Sequence, residues 1–191
     1  MLMTAPMLSP KDFEFPAIML SGIVDHGMYL HFKNCLSTAP QQGLVVVEIS
    51  TLGGDPEIAR LMGEDIRFHS ELYPERRLVF MGRTAVYSAG ATFMSFFATE
   101  NRYLTRGTRL MIHERIITKA IQLAGPLSTC IATLKATLNE IESSIAIQNE
   151  GFENLILGSQ VTMAELLQKA PENWYLEASE AQALGLIAAV L

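Results

Sequence analysis

Two polar residues in the middle of the chain follow short apolar segments. Ser88 lies in a turn after the apolar segment 78–81, and His113 comes directly after the apolar segment 110–112. A serine hydroxyl becomes a nucleophile when an imidazole takes its proton, so this pair indicates acyl-transfer chemistry if the fold brings the two together. Residues 89–97 predict a buried helix, whose first N–H groups would point at the group that Ser88 attacks.

A double glycine offers hydrogen-bond donors for the same chemistry. The β-branched segment 44–49 predicts a strand that is buried on both faces, and it leads into Gly53 and Gly54. Glycine lets a backbone N–H approach a substrate carbonyl closely, as the donors of an oxyanion hole do. An ordinary turn between a strand and a helix also explains the dipeptide, and the residues alone leave both interpretations open.

Strands and helices alternate around these residues, which predicts an α/β fold in a single domain, 1–191. After the glycines, Asp55 suits the N-cap and Pro56 the first position of an amphipathic helix that ends near Leu72. The other predicted strands are 16–24, 78–81 (closed by Gly82), 110–112 and 186–191. The other predicted helices are 28–36, a short one opened by Thr162, and 179–184, with a loop at 171–175.

The region from 114 to 158 has a different character. Residues 114–124 are rich in β-forming residues and predict an exposed arm. The helix predicted at 126–157 would be about 48 Å long, and its apolar residues follow a strict heptad: Leu127, Ile131, Leu134, Leu138, Ile141 and Ile145. Because a domain of this size cannot cover so long a helix, we expect the heptad seam to contact another subunit. A core helix of the same chain is the alternative.

The composition excludes several classes of partner. The net charge of −6 over 191 residues argues against binding to nucleic acid or to an anionic membrane. No apolar run approaches the length of about 20 residues that a membrane span needs, and the N-terminus does not resemble a signal peptide. Cys35 and Cys130 are expected to be free, buried thiols, which favours the cytoplasm. His26 and His31 are spaced loosely like metal ligands, but no cluster of cysteines or carboxylates supports a metal site there.

The order of these segments resembles the proteolytic subunit of the Clp protease, a self-compartmentalising serine peptidase. Ser88 and His113 are 25 residues apart, as in that family. The segment NWYLEASEAQALGLIAAVL (173–191) is similar to the family's C-terminal motif. The other similar segments are IMLSGIV (18–24) to its first strand, EISTLGGDPEIA (48–59) to its SPGG turn, YSAGATFM (87–94) to its nucleophile turn, and RLMIHE (109–114) to its MIHQP strand.

This resemblance implies a Clp-peptidase/crotonase-like fold of repeated β-β-α units, with residues 114–158 as a protruding handle that joins stacked rings. It implies a serine endopeptidase that hydrolyses peptides or unfolded polypeptide without metal or cofactor. Ser88 matches the nucleophile and His113 the general base, and the oxyanion donors correspond to the N–H groups of Gly54 and Ala89. The implied assembly is a homo-oligomeric ring, which the family stacks as two heptamers.

The chain also departs from the family's pattern. The third catalytic residue of the family is an aspartate, and Asn173 stands at its position. Asparagine can orient the imidazole but carries no charge, and in a chymotrypsin-type triad that change costs about 10⁴ in turnover. The neighbouring Glu172 is the alternative orienting residue. Residues 114–125 replace the family's Gly-rich substrate strand. The N-terminal parts that dock an ATP-dependent unfoldase are shorter, so the sequence leaves that partner open.

Three other functions stay open at this level. Asn173 and the altered substrate strand favour a weakly active or non-catalytic ring subunit or scaffold. A crotonase-type enzyme would leave Ser88 and His113 idle and would need a coenzyme A pocket, for which no basic residues are placed. A Ser–Lys dyad using Lys119 would match signal-peptide peptidases, but export and membrane signals are missing.

Overall fold

The fold is organised around a mostly parallel sheet, which confirms the predicted α/β class. The computed structural model describes residues 7–191, and within them seven strands form one sheet in the order β1-β2-β3-β4-β7, with β5 pairing both β3 and β6. Only the β5–β6 pair is antiparallel. The strands are β1 (Ile18–Ser21), β2 (Gly43–Thr51), β3 (Arg76–Tyr87), β4 (Arg102–Leu104), β5 (Arg109–Ile112), β6 (Trp174–Glu177) and β7 (Ala189–Val190).

Two helices begin at the capping residues that the sequence predicts. The Asp55 carboxylate accepts from the N–H groups of Glu57 and Ile58 at 2.8 and 3.3 Å, and the Thr162 hydroxyl accepts from the N–H of Glu165 at 3.2 Å, as N-caps do. The helices are α1 (His26–Thr38), α2 (Pro56–Leu72), α3 (Ala89–Met94), α4 (Leu127–Ile156), α5 (Met163–Lys169) and α6 (Ala178–Ala183). No helix in this part of the chain is long and apolar enough to cross a membrane.

Strand β2 is buried on both faces, as its β-branched sequence predicts. Val45 and Val47 join the main core between the sheet and the helices. Val46 belongs to a second cluster on the other face, which also contains Phe13, Val79, Met81 and Tyr103. Burial on both faces leaves β2 only one register, so the Gly53-Gly54 turn at its end has a defined position.

Strand β3 is three times as long as predicted and serves two parts of the sheet. The prediction that Gly82 closes it is wrong, because the strand continues through Gly82 to Tyr87. A Cβ at Gly82 would lie 2.4 Å from Leu104 Cδ2, so this glycine permits close packing rather than a turn. The first half of β3 pairs with β4 and the second half with β5. Between the halves a bulge carries Thr84 at φ 61°.

Helix α4 is partly outside the body of the fold. Its C-terminal turns, with Phe152 and Leu155, pack into the main core. Its N-terminal heptad residues are exposed: Leu127 82%, Ile131 54%, Leu134 46%, Leu138 53% and Ile145 49%. Residues 114–124 form no strand or helix and are mostly exposed, in agreement with the predicted arm. Isoleucines in this segment have no neighbouring strand of the described chain to pair with.

The C-terminal region differs from the prediction in two places. Residues 171–175 are not simply a loop, because Trp174 begins β6 and pairs with Ile112. Only Ala189–Val190 of the predicted last strand is a strand. Cys35 and Cys130 are free thiols as expected, but both are half-buried rather than buried.

The buried Arg102 holds the ends of several elements together. Its guanidinium donates to backbone carbonyls of Ser95, Phe97, Asn154, Leu155 and Leu186. Burial lowers the pKa of Arg102 to about 10, so the side chain remains charged at neutral pH. These bonds tie the C-terminal ends of α3 and α4 to the segment before β7.

Candidate active site

Ser88 lies at the strained junction between β3 and α3. Its backbone has φ 54° and ψ −112°, and such a conformation costs about 1–3 kcal/mol in a non-glycine residue. The Ser88 N–H donates to the carbonyl of Met111 at 2.9 Å, and the Ser88 carbonyl accepts from the N–H of Thr92 at 3.1 Å. The strained turn is therefore anchored on one side to β5 and on the other to α3.

His113 follows directly after β5, as the sequence predicts, and the fold brings it to Ser88. His113 Nε2 lies 2.5 Å from Ser88 Oγ, within hydrogen-bond distance for a nucleophile and its base. Both side chains are half-buried. Burial lowers the pKa of the His113 imidazole below its ordinary value of 6.5, so the ring is neutral at pH 7 and can accept the hydroxyl proton.

The Gly53-Gly54 turn packs directly against the serine. A Cβ on Gly53 (φ 114°) would lie 2.9 Å from Ser88 Cβ, and one on Gly54 (φ 147°) would lie 2.3 Å from the carbonyl oxygen of Val24. Any larger residue at either position would push the turn away from Ser88 or from the loop after β1. The two glycines therefore permit close packing of the turn against Ser88 and Val24. The sequence alone left open whether they serve such an approach or an ordinary turn.

Two backbone N–H groups near Ser88 are free to bind a ligand oxygen. The N–H of Gly53 donates to Thr51 Oγ1 at 3.0 Å, whereas within residues 7–191 the N–H groups of Gly54 and Ala89 have no acceptor. Ala89 is the first residue of α3, where N–H groups have no partner within the helix. They are the two donors that the family resemblance implies, and the N–H groups of Gly90 and Ala91 in the first turn of α3 also have no acceptor within residues 7–191.

Asn173 lies beside His113 but does not contact it through a hydrogen bond. The antiparallel register pairs Ile112 with Trp174. His113, directly after Ile112, and Asn173, directly before Trp174, are therefore neighbours at the end of the ladder. Asn173 is exposed, in a left-handed conformation at φ 58°. In the described chain, no side-chain hydrogen bond joins Asn173 or Glu172 to the imidazole. His113 Nδ1 therefore has no orienting partner.

Lys119, the alternative base, is not hydrogen-bonded to Ser88 in the described chain. Its ammonium pairs with the carboxylate of Glu140 on α4, on the arm outside the sheet. The histidines considered as metal ligands have other contacts: the His26 ring packs near Tyr29, and His31 Nε2 lies 3.2 Å from the carbonyl of Met19. Neither Lys119 nor the two histidines form a hydrogen bond with Ser88 in the described chain.

Sequence reasoning missed a polar group that links both sides of the site. The Arg115 guanidinium pairs with the carboxylate of Glu57, and the Arg115 N–H donates to Gln148 Oε1 at 2.7 Å. Hydrogen bonding by Arg115 lowers the pKa of Glu57. Glu57 lies three residues after Gly54 and Arg115 two residues after His113, so proximity in sequence to the site residues was the only available signal.

No family model matches the chain, and no curated protein matches it.

Proposed function

We propose that this protein is a serine endopeptidase that resembles the proteolytic subunit of the Clp protease. The observation that carries the proposal is the 2.5 Å contact between Ser88 Oγ and His113 Nε2, at a strained turn whose neighbouring N–H groups are free. A nucleophile, a neutral base and two oxyanion donors are the parts that acyl transfer to water requires. Peptides or unfolded polypeptide segments are the proposed substrates.

The reaction follows from these parts. Ser88 Oγ bonds to the carbonyl carbon of a peptide while His113 Nε2 takes the hydroxyl proton. The N–H groups of Gly54 and Ala89 hold the negative oxygen of the tetrahedral intermediate. His113 then gives its proton to the leaving amine as the C–N bond breaks. Water, deprotonated by the same ring, releases the acyl group from Ser88 and restores the hydroxyl.

The proposed assembly is a ring of identical subunits with α4 as the handle between stacked rings. The exposed heptad from Leu127 to Ile145 supports this, because a seam of this period fits a second helix of the same kind. In this arrangement the Clp-type fold of repeated β-β-α units would place the sites inside a shared chamber.

Covalent labelling tests the peptidase proposal directly. A fluorophosphonate probe at neutral pH should modify the wild-type protein at Ser88, and peptide mass spectrometry should locate the adduct. Ser88→Ala should abolish the label, and His113→Ala should reduce it strongly because the hydroxyl loses its base. Ser95→Ala is the matched control, since Ser95 lies at the other end of α3 and its hydroxyl donates to the carbonyl of Thr92.

A second candidate function is a ring subunit that lacks its own activity. The unpartnered Nδ1 of His113 favours it, because no residue of the described chain fixes the ring. A folded, oligomeric wild-type protein that stays unlabelled by the probe would support this scaffold and would contradict the peptidase.

A further inference from the structure

A groove opens beside the Gly53-Gly54 turn, and Arg115 is not among the residues that line it. It has a volume of about 590 Å³ and is formed by the carboxyl ends of β1 and β2 and by the bulge of β3. Ligands of parallel sheets commonly bind at the carboxyl ends of the strands. The reaction proposed above uses none of the side chains that line this groove.

The groove is continuous with the candidate active site. Gly53 and Gly54 line it, and Gly53 packs against Ser88 on its other side. A peptide whose carbonyl oxygen reached the Gly54 N–H would therefore extend into the groove on one side of the scissile bond. Pro56, Glu57 and Arg115 line a separate cavity of about 200 Å³.

A residue with a strained backbone lines the groove. Ser50 of β2 stands opposite the bulge, where the register passes from Ile49↔Gly82 to Thr51↔Val86. Thr84 in this bulge has φ 61°, which is a true outlier for a β-branched residue. Strain of this kind persists at binding and catalytic sites, and Thr84 takes no part in the contacts of Ser88 or His113.

The lining determines what the groove can bind. No residue among those that line it in the described chain carries a charge. Its walls present the hydroxyl-bearing residues Ser21, Ser50 and Thr84, and two apolar side chains, Ile23 and Leu52, that are 65% and 76% exposed. Large apolar side chains that are so exposed beside a site are typical of a surface that a ligand covers.

We propose that this groove is a specificity subsite that binds uncharged, mainly apolar residues of the substrate on one side of the scissile bond. This proposal rests on the proposed peptidase function. It makes Leu52 and Ile23 the residues that select the substrate there.

A change of charge at Leu52 tests the subsite. Wild-type protein, Leu52→Asp and Leu52→Lys are each incubated with a library of synthetic peptides, and mass spectrometry of the products gives the residue preference at every position around the cut. Leu52→Asp should enrich Lys and Arg about three- to fivefold at one position, the range that an exposed ion pair supports. Leu52→Lys should enrich Asp and Glu at that same position.

The controls separate the subsite from the peptidase proposal. Leu30→Asp adds the same charge outside the groove, at a residue of α1 that is 51% exposed, and should leave the profile unchanged. Wild-type cleavage with identical profiles for both Leu52 variants would overturn the subsite and leave the peptidase intact. Absence of cleavage by the wild-type protein, with Ser88 unlabelled by the fluorophosphonate, would overturn both.

Discussion

At the scale of single residues, the proposed base His113 is hydrogen-bonded to no carboxylate within residues 7–191. When Ser88 transfers its proton, the His113 ring becomes positive in a half-buried position, and burial disfavours that charge, as its lowered pKa indicates. An aspartate would offset this cost and fix the ring. The exposed Asn173 offers no negative charge, so we expect slow turnover from the wild-type protein.

Restoring a carboxylate at position 173 should therefore raise activity. Asn173→Asp should increase kcat, by at most about 10⁴, which is the effect of the reverse change in a chymotrypsin-type triad. In the wild-type protein, kcat/KM should fall as the pH drops through the lowered pKa of His113, below 6.5. The new negative charge should raise that pKa and move the acid limb to higher pH. Peptide hydrolysis measured against pH gives both results.

Two variants distinguish Asn173 from Glu172. Asn173→Gly keeps the left-handed backbone and removes the side chain, and Glu172→Gln removes the adjacent charge. If Asn173 holds the ring when substrate binds, the first variant should lose more activity than the second. An Asn173→Asp protein whose pH profile matches that of the wild type would show that position 173 does not reach the imidazole.

At the scale of secondary-structure elements, Arg115 connects the two sides of the site. Its guanidinium contacts the carboxylate of Glu57, which lies in the first turn of α2, directly after the Gly53-Gly54 turn. Its N–H reaches the buried Gln148 of α4, so the segment after His113 is held to both helices. An ion pair of this kind adds little stability, but it joins the segment after His113 to the helix that follows the Gly53-Gly54 turn.

Removing this link should affect catalysis more than stability. Arg115→Gln should lower kcat about ten- to hundredfold, because small displacements of reacting groups have effects of that size. The free energy of unfolding should change by less than about 1 kcal/mol, since the Glu57 carboxylate is more than half exposed. Steady-state kinetics and urea unfolding measure the two quantities.

Exchanging the charges of Glu57 and Arg115 tests whether this ion pair positions the site. The double variant Glu57→Arg, Arg115→Glu should recover part of the lost kcat, because it restores attraction between the same two elements. Arg67→Gln is the control, as Arg67 pairs with Glu64 and Glu71 farther along α2. A loss of stability that accounts for all of the lost activity would show that Arg115 acts only in folding.

At the scale of the whole molecule, the exposed heptad of α4 is the strongest indication of assembly. Leu127 and Leu138, at 82% and 53% exposure, lie on a helix of which only the C-terminal turns are buried in the main core. Exposed isoleucines of the preceding arm, such as Ile116, extend this apolar surface. A surface of this kind is unfavourable in water and should be covered by another copy of the chain.

Charges placed in the seam should break the assembly. The double variant Leu134→Glu, Leu138→Glu should shift the protein to smaller species in sedimentation velocity, because four or more carboxylates would then meet across a seam. Asn139→Glu, at an exposed neighbouring position, should keep the wild-type sedimentation coefficient. A wild-type protein that sediments as a monomer at all concentrations would contradict the assembly.

The sequence by itself determined those features that depend on local interactions. The α/β class, the N-caps Asp55 and Thr162, and the bounds of α2 and α4 follow from hydrophobic period and capping chemistry, which act within a few residues. The pairing of Ser88 with His113 was inferred by resemblance, and the structure brings the two side chains together.

Only the tertiary structure decided what depends on pairing between distant segments. The length of β3 and the strain at Thr84 arise because this strand serves two partners, and no local pattern encodes that. The bonds of Arg102 and Arg115 join residues far apart in the chain, so spacing cannot predict them. The N–H of Gly53 donates to Thr51 Oγ1, whereas that of the adjacent Gly54 has no acceptor within residues 7–191, and the dipeptide sequence does not distinguish the two. Local propensity predicts where elements begin and end, whereas long-range packing determines which polar groups stay free to act on a ligand.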